Sequence, residues 1–176
     1  MKLLKYLIYL LPTLFLISCG SKPAPIDGSN EKFALNAISI NYTSSKKLNM
    51  YENQSHVIPL VVYQLNNINS FNDLKKDNAG VIKLLEAKKF DKSVMSVDKF
   101  YISPNETKQI PINRATSTVW VALVAGFYDM SPEQSTLEYQ IPDTSMLKFW
   151  ESDESQKFLP IDVYFENSSI QKSENK

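Results

Sequence analysis

The chain contains very little of what most metal sites and catalytic centres are built from. Among its 176 residues there are one histidine, one cysteine and four glycines. Zinc sites take their ligands mainly from histidine and cysteine, so this composition excludes them. A nucleophilic triad would have to rest on His56 alone, which no suitably spaced acid marks as a base. The glycines form neither a dinucleotide fingerprint nor a phosphate-binding loop. The sequence therefore predicts no enzymatic activity and no cofactor.

A surplus of charge of one sign is also lacking. The 19 basic residues balance 19 acidic residues, and without Lys2 and Lys5, which belong to the leader described next, the net charge is −2. Such a chain has no electrostatic footprint for nucleic acid or for an anionic membrane surface. We expect its partners to be recognised by shape and hydrogen bonds.

The N-terminus has the pattern of a bacterial lipoprotein leader. After the two lysines, residues 7–17 form an apolar stretch that is too short to span a bilayer and is typical of a signal peptide. Ser18-Cys19-Gly20 follows directly and resembles the lipobox of bacterial lipoproteins. This pattern predicts a signal peptide over residues 1–18, followed by a lipidated Cys19. The alternative is an uncleaved membrane anchor.

Lipidation means a diacylglycerol and an N-acyl chain such as palmitate on Cys19. The chain would then have no free thiol, so we expect neither a disulfide nor a thiol nucleophile. Two or more acyl chains hold a protein on a membrane stably, since each buried methylene contributes about 0.8 kcal/mol. The glycine after the cysteine, Gly20, is similar to the sorting signal of outer-membrane lipoproteins in Gram-negative bacteria, and implies that location.

Composition divides the remaining chain into three parts. Residues 19–32 contain proline, glycine and serine without an apolar period, which predicts a tether with a reach on the order of 20 Å. Residues 33–165 are long enough for one domain with a core of its own. Residues 166–176 are polar and aperiodic, which predicts a disordered tail.

Alternating apolar residues predict seven strands in the domain. In the second strand both faces are apolar, because Leu60 and Val62 alternate with Val61 and Tyr63, and this is typical of a strand covered on both sides. The strands are predicted at residues 33–43, 58–65, 94–102, 107–113, 118–128, 137–141 and 159–165. Seven strands joined mostly by short turns favour a two-layer β-sandwich.

Irregular features are predicted at three places. After the second strand, Ser70 is predicted to cap a helix, and Val81 and Leu84 recur at the spacing of a second helix. We expect this insertion to pack across a sheet without a binding role. The third strand changes its apolar phase between Met95-Val97 and Phe100-Ile102, which predicts a bulge or a register shift. Pro111 predicts either an edge strand or a bulge.

The connection between the first two strands is unusually long. It runs from Ser44 to Val57, 14 residues, whereas hairpin loops usually have about 2 to 5. Its polar, amide-rich run has too few apolar residues to be buried, so we expect it on the surface. Tyr51 lies among these amides, and tyrosine is a frequent anchor of protein interfaces. The alternative is that Tyr51 folds back onto the edge of the sandwich.

Three stretches resemble the TssJ family, the outer-membrane lipoproteins of the bacterial type VI secretion system. They read Leu48-Asn49-x-Tyr51-x-Asn53, Pro59-Leu60-Val61-Val62-x-Gln64-Leu65 and Phe71-x-Asp73-Leu74. The turn around Asn105 is similar to a Pro-Gly-Glu turn of that family, with Asn105 in place of glycine. The central apolar strand of the family often ends in an aromatic residue and an arginine, whereas Tyr128 is followed by Asp129.

The resemblance implies an all-β fold, a transthyretin-like two-layer β-sandwich with a short helical insertion after the second strand. It implies a lipoprotein that faces the periplasm and anchors the type VI membrane complex by binding the periplasmic C-terminal region of a TssM-like inner-membrane protein. In TssJ proteins the loop between the first two strands makes this contact. The partner-binding residues implied here are Lys47, Asn49, Tyr51, Glu52, Asn53, Gln54 and Ser55.

Two other classes of function stay open on the sequence alone. One is a free periplasmic lipoprotein that binds a small ligand or a cell-wall fragment, with Trp150 and Tyr139 as stacking platforms. The other is a hydrolase. Trp150 belongs to an insertion, residues 142–157, and we expect it either to cap the core or to form a second contact.

Overall fold

The computed structural model describes residues 32–142 and 158–173, which form eight strands and three short helices. In chain order these are β1 (Ala34–Ser44), β2 (Ile58–Leu65), α1 (Asn69–Leu74), α2 (Asn78–Leu85), β3 (Val94–Ile102), β4 (Thr107–Arg114), β5 (Trp120–Ala125), α3 (Pro132–Ser135), β6 (Thr136–Gln140), β7 (Leu159–Phe165) and β8 (Ile170–Lys172). They build two four-stranded sheets, sheet I in the order β4-β1-β7-β8 and sheet II in the order β3-β2-β5-β6. All neighbouring strands are antiparallel except β1 and β7, which are parallel. The predicted all-β, two-layer sandwich is confirmed.

The core between the sheets follows from side-chain alternation. On β1, Ile38 and Ile40 are fully buried and belong to one apolar cluster with Leu60 and Val62 of β2. Successive side chains of a strand point to opposite faces, so the residues between them face outward from this layer. The apolar faces that the sequence predicts for β1 and β2 therefore pack against each other in this core.

The other face of β2 is covered by the helical insertion. Val61 and Tyr63 form a second buried cluster with Phe71 of α1 and Leu84 of α2. The hydroxyl of Tyr63 donates a hydrogen bond to the carbonyl oxygen of Leu84 at 2.6 Å, and burial raises the pKa of Tyr63 to about 12. Both predicted helical pieces exist, and they pack on sheet II as expected.

The helix starts differ from the prediction in one respect. Ser70 is the second residue of α1 and does not cap it, because Ile68 holds the N-cap position without a side-chain bond. The Ser70 hydroxyl is instead hydrogen-bonded to the carboxylate of Asp91. The side-chain cap belongs to α2, where Asp77 accepts a hydrogen bond from the backbone N–H of Gly80 at 2.8 Å.

Gly80 is required by the close approach of the two helices. A Cβ at this position would lie 1.6 Å from the carbonyl oxygen of Leu74, so the helices would have to separate. We expect Gly80→Ala to lower the free energy of unfolding by about 1 to 3 kcal/mol, as overpacking usually does. Chemical denaturation measures this change, with the exposed Asn78→Ala in the same helix as the control. Equal stability of the two variants would contradict this contact.

Of the two predicted irregularities, the edge strand at Pro111 is confirmed, whereas the register shift of β3 lies at Met95 and not between Val97 and Phe100, where the pairing with β2 is continuous. Gln64 pairs with Ser96 whereas Leu65 pairs with Val94, so the register shifts by one residue at the start of β3. Pro111 lies on β4, which is an edge strand of sheet I. Proline is tolerated there because an edge strand leaves one row of N–H groups outside the ladder.

The predicted disordered tail is wrong for residues 170–172. These form β8, which pairs with β7 through a turn closed by the backbone N–H of Glu166 and the carbonyl oxygen of Ser169, 2.8 Å apart. Ile170 is buried at the end of the core, so one apolar side chain and a strand partner stabilise a segment whose composition is polar. The predictions for the signal peptide, Cys19, most of the tether and Trp150 concern residues outside the described ranges.

The two ends of the sandwich are formed by different segments of the chain. Since β1 is 11 residues long and a strand rises about 3.3 Å per residue, the ends are about 35 Å apart. The tether end consists of Phe33, residues 113–119 and Phe158, where the chain enters β1 and β7. The loop end consists of residues 45–57, 103–106, 126–131 and 166–169.

Candidate functional site

The tip of the long loop is a tight two-residue hairpin. Tyr51 and Gln54 exchange both backbone hydrogen bonds, each 2.9 Å long. Glu52 and Asn53 between them have φ angles of 50° and 60°, the left-handed conformation that such twisted hairpin turns require. All four residues are exposed. The loop therefore presents a defined surface rather than a flexible segment.

Backbone strain is concentrated in this loop. Of the seven non-glycine residues with positive φ in the described part of the chain, three are Asn49, Glu52 and Asn53. Each left-handed residue other than glycine costs about 1 to 2 kcal/mol, although asparagine tolerates it best. Strain of this kind collects at functional sites, where the surrounding structure holds it in place.

Asn49 holds the base of the loop. Its side-chain Oδ1 accepts a hydrogen bond from the backbone N–H of Tyr128 at 2.8 Å. Its own N–H donates to the carbonyl oxygen of Asn167 at 2.7 Å, and its carbonyl oxygen lies 3.3 Å from Nδ1 of His56. Asn49 is only 6% exposed, so the prediction that it belongs to an exposed run is wrong. Asn49 can be buried because two distant segments, at Tyr128 and Asn167, and His56 of the same loop satisfy its hydrogen bonds.

Two further contacts fix the loop to the sandwich. Leu48 is fully buried in the core between the sheets. Met50 donates its N–H to Oδ1 of Asn167 at 2.7 Å, and Ser55 donates its hydroxyl to the carbonyl oxygen of Lys46 at 2.6 Å. Ser55 therefore ties the loop to itself, whereas Lys47 is exposed. The predicted binding residues thus divide into an exposed group and a supporting group.

The neighbouring turn supports the start of the loop. Asn105 has a φ of 56°, which explains why this position accepts glycine or asparagine, and its N–H donates to the carbonyl oxygen of Ser45 at 3.2 Å. Glu106 accepts a hydrogen bond from the hydroxyl of Tyr42 at 2.8 Å. The hydrogen bond from Lys108, and then that from Tyr42, holds the pKa of Glu106 below its usual value. The carboxylate therefore stays ionised at neutral pH.

Three rings meet beside the hairpin tip. The ring centroids of Tyr51 and Tyr128 are 5.1 Å apart, and His56 lies 5.4 Å from Tyr128 and 6.4 Å from Tyr51. Tyr51 is 53% exposed and Tyr128 is 62% exposed. Tyr51 thus rests on its neighbours while half of its surface faces solvent. The alternative, in which Tyr51 folds back onto the edge of the sandwich, agrees with its contact with Tyr128. It does not agree with the exposure of half of the Tyr51 surface.

Other exposed apolar residues lie at the same end of the sandwich. Tyr101 pairs with Pro59 across β3 and β2, and Gly126 donates its N–H to the carbonyl oxygen of Pro59 at 2.9 Å. Val57 directly precedes β2 and Tyr128 follows β5 by three residues, so both lie at the same end of sheet II as Tyr101, which is near the end of β3. We call this set the loop-end patch, and it consists of Tyr51, Val57, Tyr101 and Tyr128. All four are more than half exposed.

The sequence did not identify Tyr128, Tyr101, Val57 or Asn167 as part of this site. Tyr128 and Asn167 reach the loop from positions 79 and more residues away, and a single sequence does not show such contacts. The one available signal was the pattern of large apolar residues at or next to the ends of predicted strands. Such residues either continue the core or form a surface patch, and only the fold distinguishes the two.

The residues considered for other functions are placed differently. Tyr139 is half-buried, its pKa is raised to about 12 by burial, and Nζ of Lys172 lies 5.0 Å from its ring centroid. One ring face is therefore not open for stacking on a ligand. Within residues 32–142 and 158–173, no group of three acidic, histidine or cysteine side chains is arranged to hold a metal ion. No helix of those residues is long and apolar enough to cross a membrane.

The two sheets, the parallel pairing of β1 with β7 and the helical insertion after β2 define a transthyretin-like β-sandwich protein. Residues 36–164 match the family model described as "Type VI secretion lipoprotein, VasD, EvfM, TssJ, VC_A0113". The chain therefore belongs to the TssJ family of type VI secretion lipoproteins, as the sequence motifs predict. No curated protein sequence gives a significant match.

Solved structures of type VI secretion proteins share this fold. Lip of Serratia marcescens, described as a membrane-bound component of the system, is 17% identical with a TM-score of 0.62, over 79% of this chain and 98% of that one. TssJ1 of Pseudomonas aeruginosa is 15% identical with a TM-score of 0.61, over 83% and 98%. A chain in the structure "T6SS protein TssM C-terminal domain (869-1107) from EAEC" is 9% identical with a TM-score of 0.55, over 78% and 98%. At these identities the likeness shows the fold alone.

Proposed function

We propose that this protein is a static, non-enzymatic anchor that fastens a type VI secretion complex to the outer membrane. A lipid on Cys19 holds one end in the periplasmic leaflet, and the loop end binds the periplasmic C-terminal region of a TssM-like inner-membrane protein. The exposed pair of Tyr51 and Tyr128, held on a hydrogen-bonded loop, is the observation that carries this proposal. No catalytic step is part of it.

The chemistry of the loop end supports a protein partner. Tyrosines supply large contact areas with few rotatable bonds, and such residues dominate the binding energy of many interfaces. The exposed Glu52 and the exposed amides of Asn53 and Gln54 belong to the same hairpin as Tyr51, and the exposed Lys47 lies earlier in the loop. An apolar centre within a polar rim is the usual anatomy of a protein interface.

The stiffness of the loop supports the same conclusion. Binding costs free energy when side chains and loops become ordered, and a loop that is already ordered avoids this cost. Here Asn49, Ser55 and Asn167 order the loop before any partner arrives. The strained turn at Glu52 and Asn53 is maintained by the same contacts.

The placement of the two ends supports an anchoring role. The predicted tether enters at the start of β1, whereas the loop follows the end of β1, about 35 Å away. A membrane at one end and a partner at the other would therefore not compete for space. The identity of the partner rests on the family and on the structure that is described by its TssM domain.

Alanine substitution of the two tyrosines tests the partner contact. We expect Tyr51→Ala and Tyr128→Ala each to weaken binding to the purified C-terminal periplasmic region of the TssM-like protein by about 30-fold, because a truncated interface anchor typically costs about 2 kcal/mol. Biolayer interferometry or calorimetry measures the affinity. The matched control is Ile82→Ala on α2, since Ile82 is 54% exposed and lies outside the loop end.

Melting curves of each variant separate lost contacts from lost folding. Both tyrosines are largely exposed, so the melting temperature should change by little more than that of Ile82→Ala. If the double variant Tyr51→Ala/Tyr128→Ala folds normally and binds the partner with unchanged affinity, the loop end is not the binding surface.

A further inference from the structure

Large apolar side chains are exposed at the opposite end of the sandwich as well. Phe33 is 55% exposed, Leu35 61% and Phe158 51%. Of the eight large apolar residues that are exposed in the described ranges, four form the loop-end patch, three lie at or beside the tether end, and Ile82 lies on α2. Exposed apolar residues scattered singly need no explanation, but a concentration at one end does.

The three residues lie where two neighbouring strands enter the same sheet. Phe33 directly precedes β1, Leu35 is the second residue of β1, and Phe158 directly precedes β7. Because β1 and β7 are parallel, with Ile38 beside Leu159, both strands begin at the same end. We call Phe33, Leu35 and Phe158 the tether-end patch.

The backbone turns Leu35 away from the core. Asn36 has a φ of 49°, and its N–H donates to Oδ1 of Asn113 at 3.0 Å. The register of β1 against β4 shifts between Ala34 and Ile38, so Leu35 and Asn36 are both exposed between the buried Ala34 and Ala37. A strand in regular alternation would not expose two successive residues between two buried ones. This irregularity places an apolar side chain in solvent at the start of β1, near the predicted tether.

We infer that the tether-end patch rests in the interfacial layer of the membrane that holds the lipidated N-terminus. This inference depends on the lipidation proposed for Cys19. From Cys19 to Phe33 there are 14 residues, with a root-mean-square length on the order of 20 Å. That length lets the tether end touch the lipid headgroups while the loop end stays about one strand length further away. Apolar residues at this end then become part of the attachment.

A lipid surface suits this end better than an acidic or basic protein partner. The described charges leave the chain close to neutral overall, so contact with lipid would come from apolar area and not from attraction to anionic headgroups. Binding of this kind scales with the apolar area buried at the interface. Partial burial of a phenylalanine or leucine would strengthen the contact about five-fold for each residue. The patch therefore controls how the domain is oriented on the membrane, whereas the lipid on Cys19 keeps the domain there.

Site-directed fluorescence tests the contact in the full lipoprotein. Cys19 is the only cysteine and its sulfur carries lipid in the proposed form, so a single introduced cysteine accepts the label. Thr116→Cys reports on the tether end, since Thr116 is exposed and lines the same cleft as Phe33. Ile82→Cys reports on the flank. The labelled proteins are reconstituted into vesicles of phosphatidylethanolamine and phosphatidylglycerol that contain a nitroxide-labelled lipid as quencher.

We expect quenching at Thr116→Cys to be about three-fold stronger than at Ile82→Cys, because the patch would hold that end at the surface. Adding Phe33→Ser, Leu35→Ser and Phe158→Ser should lower the quenching at Thr116→Cys to the level at Ile82→Cys. These residues are already exposed, so the folded state should survive, which a melting curve checks. Equal quenching at both sites in the parent protein would overturn the inference, whether that end faces water, a second copy or another part of the chain.

The same experiment separates failure of this inference from failure of the proposed anchor. A protein that does not float with the vesicles lacks the lipid, which contradicts the proposed function. A protein that floats but shows no preferential quenching at Thr116→Cys keeps the lipid and contradicts only the inference.

Discussion

Replacing Cys19 with serine should transfer the protein completely from the membrane fraction to the soluble periplasmic fraction. The thiol is the only atom in the chain to which a diacylglycerol thioether can be attached. An acyl chain of ordinary length contributes on the order of 10 kcal/mol at about 0.8 kcal/mol per methylene, and two or more chains make detachment negligible. Serine differs from cysteine by one atom but cannot carry the thioether-linked lipid, so the whole contribution of the acyl chains is lost. Fractionation followed by immunoblotting measures the distribution.

Gly20→Asp is the matched control for this result. It leaves Cys19 and its proposed lipid in place but changes the residue that resembles the outer-membrane sorting signal. We expect this variant to remain in the membrane fraction and to shift from the outer to the inner membrane on a sucrose gradient. If Cys19→Ser stayed in the membrane fraction, an uncleaved N-terminal anchor would be the better explanation of the leader.

The soluble Cys19→Ser protein should still bind the TssM-like partner. The loop end lies at the opposite end of β1 from the tether, so no described contact links the two attachments. If this protein binds the partner in solution while secretion is defective, the substitution has removed its attachment to the membrane and not its affinity for the partner. This separation of the two ends is the physical basis of an anchor.

The strands that the sequence predicts best are those with strong side-chain periodicity. The predicted bounds of β2, residues 58–65, agree with the structure, and those of β1 differ by one residue at each end. Each strand has one long apolar face that must be buried, and this fixes both its existence and its register. The parts that are wrong depend on partners distant in sequence. β8 has one buried isoleucine and exists because β7 offers a free edge.

The candidate site shows the same limit at the level of single residues. The long loop and the exposure of Tyr51 follow from local composition, whereas the neighbours of Tyr51 do not. Asn49 has the composition of a surface amide, but Tyr128 and Asn167 bury it. Sequence alone therefore predicts where a candidate binding loop is, and the fold adds which of its residues are exposed and which hold the loop in shape.

Asn49→Ala should disconnect the loop from the rest of the site. Alanine keeps the backbone bonds of residue 49, so the specific loss is the hydrogen bond from the N–H of Tyr128 to Oδ1 at 2.8 Å. The hydrogen bond is part-buried, and a donor left without an acceptor away from water costs about 1 to 3 kcal/mol. Alanine also tolerates the φ of 48° less well than asparagine. We expect Tyr128 and Tyr51 to lose their fixed arrangement and the affinity for the TssM-like region to fall by about 100-fold, more than either tyrosine truncation alone.

Asn105→Ala separates this bond from backbone strain. Asn105 is exposed and has a φ of 56°, so its substitution introduces a similar conformational cost without removing a buried acceptor. Hydrogen exchange should show faster exchange of the Tyr128 amide in Asn49→Ala and no change there in Asn105→Ala. If Tyr128 exchanged at the parent rate in both variants, Asn49 would not hold the loop. If exchange rose while affinity stayed constant, the partner would not depend on the preformed loop, because ordering it on binding would otherwise weaken the complex.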